Sequence, residues 1–117
     1  MLNTPVDLHT GGLYNCLFLQ NTASGTGGLG GVNGLGGAVY NGGNLTVLGS
    51  TFDQNKSLAS GGGAIAHLTT FGLEHDRLRV ANSTFSGNQA LTDGGAISNF
   101  GDTAKVLLLN TTISGSL

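Results

Sequence analysis

The stretch LTVLGSTFDQN at residues 45–55 decides the fold of this chain, because close copies of it recur along the sequence. It returns as LRVANSTFSGN at 78–88 and as VLLLNTTISGS at 106–116, with a partial first copy, GGLYNCLFLQN, at 11–21. A second phrase, GGAV or GGAI, alternates with these copies at 36–39, 62–65 and 94–97. Repeats of this length indicate stacked structural units, each burying its apolar side against the next.

Apolar residues within each copy lie two positions apart, which is the spacing of a half-buried strand. Leu45 and Val47 are predicted to face inward on one strand, and Ser50 and Phe52 on the next, with a bend between the strands. The Gly-Gly-Ala phrase is predicted to supply a third strand. Three short strands per coil, with each coil parallel to the last, predict an all-β fold: a parallel β-helix (β-solenoid) of about four coils.

The whole chain, residues 1–117, is predicted to form a single β-helix domain or a fragment of one, with 1–10 as a leader or partial coil. Coil length varies through inserted loops, of which the Gly-rich loop 22–35 and the charged loop 69–77 stand out. Inserted loops often carry the function of repeat proteins. The G-x-G-x-x-G pattern at 25–30 lacks the strand, helix and acidic residue that dinucleotide binding requires, so a flexible loop is the preferred interpretation.

An asparagine ends three of the repeated stretches, at Asn21, Asn55 and Asn88. A side-chain amide at a turn can bond both its own coil and the matching amide one coil away. The three residues are therefore predicted to form a structural ladder.

Composition excludes some classes of partner. The chain has a net charge of −2 and only four Lys and Arg residues, so it offers no electrostatic footprint for nucleic acid. No apolar run approaches the ~20 residues needed to cross a bilayer, so we expect no membrane insertion by this segment. Residues 1–10 lack the basic start and apolar stretch of a signal peptide.

The two alternating phrases resemble the repeats of the polymorphic outer membrane proteins of chlamydiae, which carry many Gly-Gly-Ala-Ile and Phe-x-x-Asn motifs. The first motif is matched at 62–65 and 94–97, with Val39 replacing Ile in 36–39, and the second at 18–21, 52–55 and 85–88. The resemblance covers roughly residues 11–117. It implies a right-handed β-helix, an extracellular or cell-surface location, and a role as an adhesin, autotransporter passenger or structural stalk.

The charged loop contains the best candidate interaction site, Glu74, His75, Asp76 and Arg77. A solvated loop is the simpler interpretation of this cluster. The alternative is a fragment of a carbohydrate-active β-helix enzyme, a polysaccharide lyase or glycosidase, which would need Asp76, Asp93 and Asp102 to converge within ~10 Å. The sequence favours a non-catalytic role, and no catalytic, metal or cofactor-binding residue is predicted.

Three further residues with reactive side chains receive structural interpretations. Cys16 aligns with Ser50, so it is predicted to be a small inward-facing thiol. His9 and His67 lack a spaced partner and are predicted to be ordinary surface or turn residues.

Solenoids need capped ends, and neither end of this sequence resembles a cap. We therefore expect self-stacking through exposed coil ends or a protein partner bound there. The chain has no Trp and only Tyr14 and Tyr40 as tyrosines, so it offers little stacking surface for sugars. The sequence thus favours a surface or structural repeat module that makes protein contacts through its inserted loops, while a glycan partner stays open.

Overall fold

The computed structural model describes residues 2–3, 11–25, 34–68, 77–101 and 104–117, and all regular secondary structure in these ranges is β. The fifteen strands in these ranges are two to five residues long, because bends and turns separate one strand from the next within a coil. They are β1 (Leu2–Asn3), β2 (Gly11–Tyr14), β3 (Leu17–Leu19), β4 (Thr22–Ala23), β5 (Val39–Asn41), β6 (Leu45–Leu48), β7 (Thr51–Asp53), β8 (Lys56–Ser57), β9 (Ile65–Leu68), β10 (Arg77–Ala81), β11 (Thr84–Ser86), β12 (Gln89–Ala90), β13 (Ile97–Phe100), β14 (Lys105–Leu109) and β15 (Thr112–Ser114).

The strands form four parallel sheets, and the chain visits the sheets in a fixed order. Sheet A is β1-β5-β9-β13, sheet B is β2-β6-β10-β14, sheet C is β3-β7-β11-β15, and sheet D is β4-β8-β12. One turn through the four sheets is one coil, so the first coil comprises β1–β4, the second β5–β8, the third β9–β12 and the fourth β13–β15. The fold is a parallel β-solenoid of about four coils, as the sequence predicts.

The structure contains the three predicted strands of each coil and adds a fourth. Sheet D consists of two-residue strands that follow the Phe-x-x-Asn phrase. Its pairs, Thr22 with Lys56 and Lys56 with Gln89, are parallel like the others. The sequence did not predict this sheet because a two-residue strand is too short to show a period of two.

Strand register confirms the alignment of the repeated stretches. Leu78 pairs with Leu45 on one side and with Val106 on the other. In sheet C, Phe85 pairs with Phe52 and with Ile113. The same apolar position thus stacks directly on itself from coil to coil.

The inward positions form the core, as the alternation predicts. Leu45, Val47, Ser50 and Phe52 are all buried, whereas Thr46 and Thr51 point outward and are partly exposed. The phenylalanine rings stack in parallel along the solenoid, with 4.7 Å between the centroids of Phe18 and Phe52 and the same distance between Phe52 and Phe85. This spacing equals the distance between hydrogen-bonded strands, so the backbone sets the stacking.

The Gly-Gly-Ala residues form the turn into sheet A, and the third predicted strand begins directly after them, which corrects only the start of that strand. Strands β5, β9 and β13 each begin at the residue after the alanine. The first glycine of the phrase has a positive φ, 75° at Gly62, which a residue with a side chain rarely adopts. The second glycine leaves no room for a side chain, because a Cβ at Gly63 would lie 1.9 Å from the carbonyl oxygen of Gly95.

Candidate interaction surfaces

The three repeated asparagines lie above one another at the turn between sheets C and D. Asn21 Nδ2 donates to Asn55 Oδ1 at 2.9 Å, and Asn55 Nδ2 donates to Asn88 Oδ1 at 3.0 Å. The same oxygens accept the backbone N–H groups of the coil before, at 3.0 Å for Asn21 and 2.9 Å for Asn55. The side-chain oxygens of Asn55 and Asn88 therefore each accept two hydrogen bonds from the asparagine one coil earlier, one from its side chain and one from its backbone.

This ladder is internal to the structure. Asn55 Nδ2 also donates to the carbonyl oxygen of Phe18, and Asn88 Nδ2 to that of Phe52, both at 3.0 Å. Asn55 and Asn88 are fully buried. In the fourth coil Ser116 replaces asparagine, and its Oγ accepts the N–H of Asn88 at 3.3 Å. Buried amides with these contacts stabilise the stack and are not exposed to a ligand.

A second ladder, which the sequence analysis did not identify, lies at the turn between sheets B and C. Ser50 Oγ accepts the N–H of Cys16 at 3.1 Å, and Ser83 Oγ accepts the N–H of Ser50 at 3.1 Å. Each hydroxyl also donates to a carbonyl two residues earlier in its own coil, 3.0 Å for Ser50 and 2.8 Å for Ser83. The alignment of Cys16, Ser50 and Ser83 contained the signal, since a small hydroxyl at a turn commonly bonds local backbone.

The structure contradicts the interpretation of His67 as a surface or turn residue. His67 lies on β9 and is fully buried, in register with Asn41 of β5. Asn41 Nδ2 lies 2.9 Å from His67 Nδ1 and also donates to the carbonyl oxygen of Gly43 at 2.8 Å. His67 Nδ1 also lies 3.3 Å from the backbone carbonyl oxygen of Asn41, so both contacts of this nitrogen are to the residue paired with it one coil earlier. The prediction was wrong because a lone polar residue inside a strand gives no sign of which face it occupies.

Most of the candidate interaction loop falls outside the described residues. Glu74, His75 and Asp76 lie outside, and so does Asp102. The convergence of Asp76, Asp93 and Asp102 that the enzymatic alternative requires is therefore not tested. His9 and residues 26–33 of the Gly-rich loop also lie outside. Arg77 is described: it begins β10, is exposed, and its backbone N–H donates to Asn44 Oδ1 at 2.9 Å.

The loops enter and leave at two different corners of the coil. Thr22 and Ala23, predicted as the start of the Gly-rich loop, form β4 of sheet D instead, so that loop is shorter than predicted and leads from β4 to β5 of sheet A. The matching connections in the later coils are residues 58–64 and 91–96. The charged loop leads from β9 of sheet A to β10 of sheet B, where the second coil has only 42–44, and Arg77, predicted as its last residue, is the first residue of β10. Both connections therefore lie at corners between sheets.

The described ionisable groups form no chemical centre. Asp53 is on the outer face of sheet C, where its Oδ1 accepts a hydrogen bond from Ser86 Oγ, while Asp93 is exposed in the turn before sheet A. Within the described ranges no group of three His, Cys, Asp or Glu side chains could bind a metal ion. Partial burial raises the pKa of the Tyr40 phenol, because desolvation disfavours the phenolate.

Cys16 packs against the core, as predicted for a small inward-facing thiol. Cys16 is half-buried against the core, and its Sγ lies 3.4 Å from the carbonyl oxygen of Tyr14. Among the described residues there is no helix of the length and apolarity needed to cross a membrane.

These observations define a class of protein, a parallel β-solenoid whose coils are joined by stacked phenylalanines and by asparagine and serine ladders. Two segments, residues 49–67 and 82–99, match the Chlamydia polymorphic membrane protein repeat. Each match runs from the turn before sheet C to the strand of sheet A in the next coil, and so includes both repeated phrases. The resemblance noted in the sequence is thereby confirmed for these segments. Neither a curated protein nor a solved structure gives a significant match.

Proposed function

We propose that the chain is a non-catalytic repeat module of a surface protein of the adhesin or autotransporter-passenger type. It contacts protein partners through loops 22–35 and 69–77, and its fourth coil receives a further β-coil. The match to a repeat of Chlamydia membrane proteins supports the location at the cell surface. The observation that carries the proposal is the exposed inner row of the fourth coil.

That row consists of Val106, Leu108 and Ile113, which occupy the same columns as the buried residues Leu78, Val80 and Phe85. Leu108 is 42% exposed and Ile113 45% exposed, whereas Val80 and Phe85 are fully buried. Strands β14 and β15 are also at the edges of their sheets, so their outer backbone groups face along the solenoid axis. An apolar row beside unpaired backbone groups is the surface on which the next coil of a solenoid stacks.

The stacking proposal can be tested with the purified chain, because a second copy can supply the coil that stacks on the fourth coil. We expect the purified protein to associate as its concentration rises, by light scattering after size-exclusion chromatography. Leu108→Lys should reduce association, because it places a charge in the apolar row. Leu17→Lys is the matched control, since Leu17 is an exposed leucine on the outer face of sheet C. A monomer at every concentration, or equal effects of the two substitutions, would contradict stacking.

The loop contacts require a separate experiment. Fluorescent beads coated with the protein are applied to cultured epithelial cells, and bound beads are counted by flow cytometry. Replacing residues 69–76 with a Gly-Ser linker of equal length should lower bead binding, and trypsin treatment of the cells should abolish it. Binding that resists trypsin but disappears after glycosidase treatment would assign the loops a glycan partner instead of a protein.

A further inference from the structure

The outer face of sheet B contains a groove that none of the preceding observations explains. It lies between β10 and β14, has a volume of about 370 Å³, and is lined by Arg77, Leu78, Arg79, Lys105, Val106 and Leu107. Three of the four basic residues of the chain are thus on this one face. Because the whole chain has a net charge of −2, the groove is a local concentration of positive charge.

Strand register fixes the arrangement of these side chains. Arg77 pairs with Lys105, and Arg79 pairs with Leu107, so the three cations and one leucine occupy the corners of a four-residue patch. Both arginines are exposed, as are Lys105 and Leu107. Paired residues on neighbouring strands are about 4.8 Å apart, and alternate residues along one strand are about 6.6 Å apart. The three positive charges therefore lie next to one another and beside the exposed side chain of Leu107.

The other outer faces differ in chemistry. Sheet C presents Thr51, Thr84 and Thr112 in register, with Asp53 beside Ser86 on the next row. Sheet D presents a single cation, Lys56. In the described part of the chain, only sheet B combines several cations with an exposed leucine.

We propose that this groove binds an extended acidic peptide segment in which every second residue faces the groove, and these facing residues are in turn acidic and apolar. The carboxylates pair with Arg79 and Lys105, and an apolar side chain packs against Leu107. Alternate side chains of an extended peptide recur about every 6.6 Å, which matches the spacing of Lys105 and Leu107 along β14. Among the described residues that line the groove there is no aromatic ring on which a sugar could stack, and the apolar part fits a side chain.

This inference goes beyond the proposed function, because it concerns the side of the coil and not its end or its loops. Arg77 also belongs to the charged loop, so the test relies on Arg79 and Lys105, which lie outside that loop. A failure here leaves the stacking and loop proposals untouched.

The test measures fluorescence anisotropy of a short labelled peptide in which glutamate and leucine occupy every second position in turn, with serine at the positions between them. Two matched peptides replace glutamate by glutamine or leucine by serine. The variants are Arg79→Gln, Lys105→Gln and Leu107→Ser, with Lys56→Gln as the charge control on sheet D and Leu17→Ser as the apolar control on sheet C. Circular dichroism and thermal unfolding verify that each variant folds.

We expect the glutamate-leucine peptide to bind, and each charge substitution in the groove to weaken binding about three- to fivefold, the effect typical of an exposed ion pair. Raising the salt concentration should also weaken binding, because exposed charges are screened. Lys56→Gln and Leu17→Ser should leave the affinity unchanged. Should Arg79→Gln fail to fold, Lys105→Gln alone decides the outcome.

Three results would overturn the proposal. The first is equal weakening by Lys56→Gln, which would indicate attraction by charge alone. The second is binding of the glutamine peptide as tightly as the glutamate one. The third is binding of heparin or of phosphatidylserine vesicles through Arg79 and Lys105 when the peptide does not bind, which would assign the groove to a sulfated glycan or a lipid surface.

Discussion

The third and fourth coils place equivalent residues in the same columns, but the residues differ sharply in burial. In the third coil Leu78, Val80 and Phe85 have a coil on each side and are fully buried. In the fourth coil, Val106 is half-buried, while Leu108 and Ile113 are exposed to nearly half of their surface. Both coils have the same alternating pattern and the same strand register.

The difference shows that an inward-facing residue of a solenoid becomes buried only when a coil stacks on each side of it. Each coil contributes one apolar row and one row of turn amides, and each row is completed by the next coil. Equivalent substitutions should therefore have unequal effects in the middle and at the end of the stack. Urea denaturation measures this inequality as a difference in the free energy of unfolding between variants of the two coils.

The largest inequality is expected in the phenylalanine column. Phe85→Ala removes a buried ring that stacks on Phe52, and should cost about 4 kcal/mol. Ile113→Ala, in the same column but half-exposed, should cost about 1 kcal/mol. Equal costs would show that the fourth coil is covered in solution by another coil.

The glycines of the sheet A turn should give the next largest effect. A Cβ at Gly63 would meet the backbone of Gly95 and Gln89, which cannot move without displacing the third coil, so Gly63→Ala should cost about 3 kcal/mol. At Gly95 the same atom would meet the backbone of Leu117 at 2.4 Å. Because the Leu117 side chain is 79% exposed, this residue can shift more easily, and Gly95→Ala should be the milder substitution. A milder Gly63→Ala would show that the turn is looser than the structure indicates.

The asparagine ladder should give the smallest of the three effects. Asn55→Ala removes side-chain bonds to the coils on both sides and should cost about 2 kcal/mol, since the backbone N–H of Asn21 and the carbonyl oxygen of Phe18 lose their bonds to the amide. Asn21 is exposed, and its side-chain amide donates to Asn55 Oδ1. Asn21→Ala should therefore cost less than about 1 kcal/mol. An unchanged thermal midpoint in Asn55→Ala would contradict a stabilising role for the ladder.

Most of the fold could be predicted because repetition supplies its own alignment. Setting Phe52 over Phe85 places every flanking apolar residue in its column, since parallel strands of equal coils pair in register. His67 could not be placed in this way, because its column contains Asn41 and Asn99, which share no apolar pattern with it. The contacts of the candidate interaction loop could be predicted even less. Inserted loops differ from coil to coil, so no second copy indicates what Glu74 or Asp76 contacts.

The sequence by itself determined the coil, its register and its inward rows, because spacing of two and exact recurrence are properties of the order of residues. Only the tertiary structure decided how those rows are covered and what the outside of the coil presents. The groove of Arg77, Arg79, Lys105 and Leu107 joins residues from two separate repeats, which become neighbours only when β10 pairs with β14. The exposed row of the fourth coil is likewise invisible in the repeat, since burial depends on which coil lies next to it.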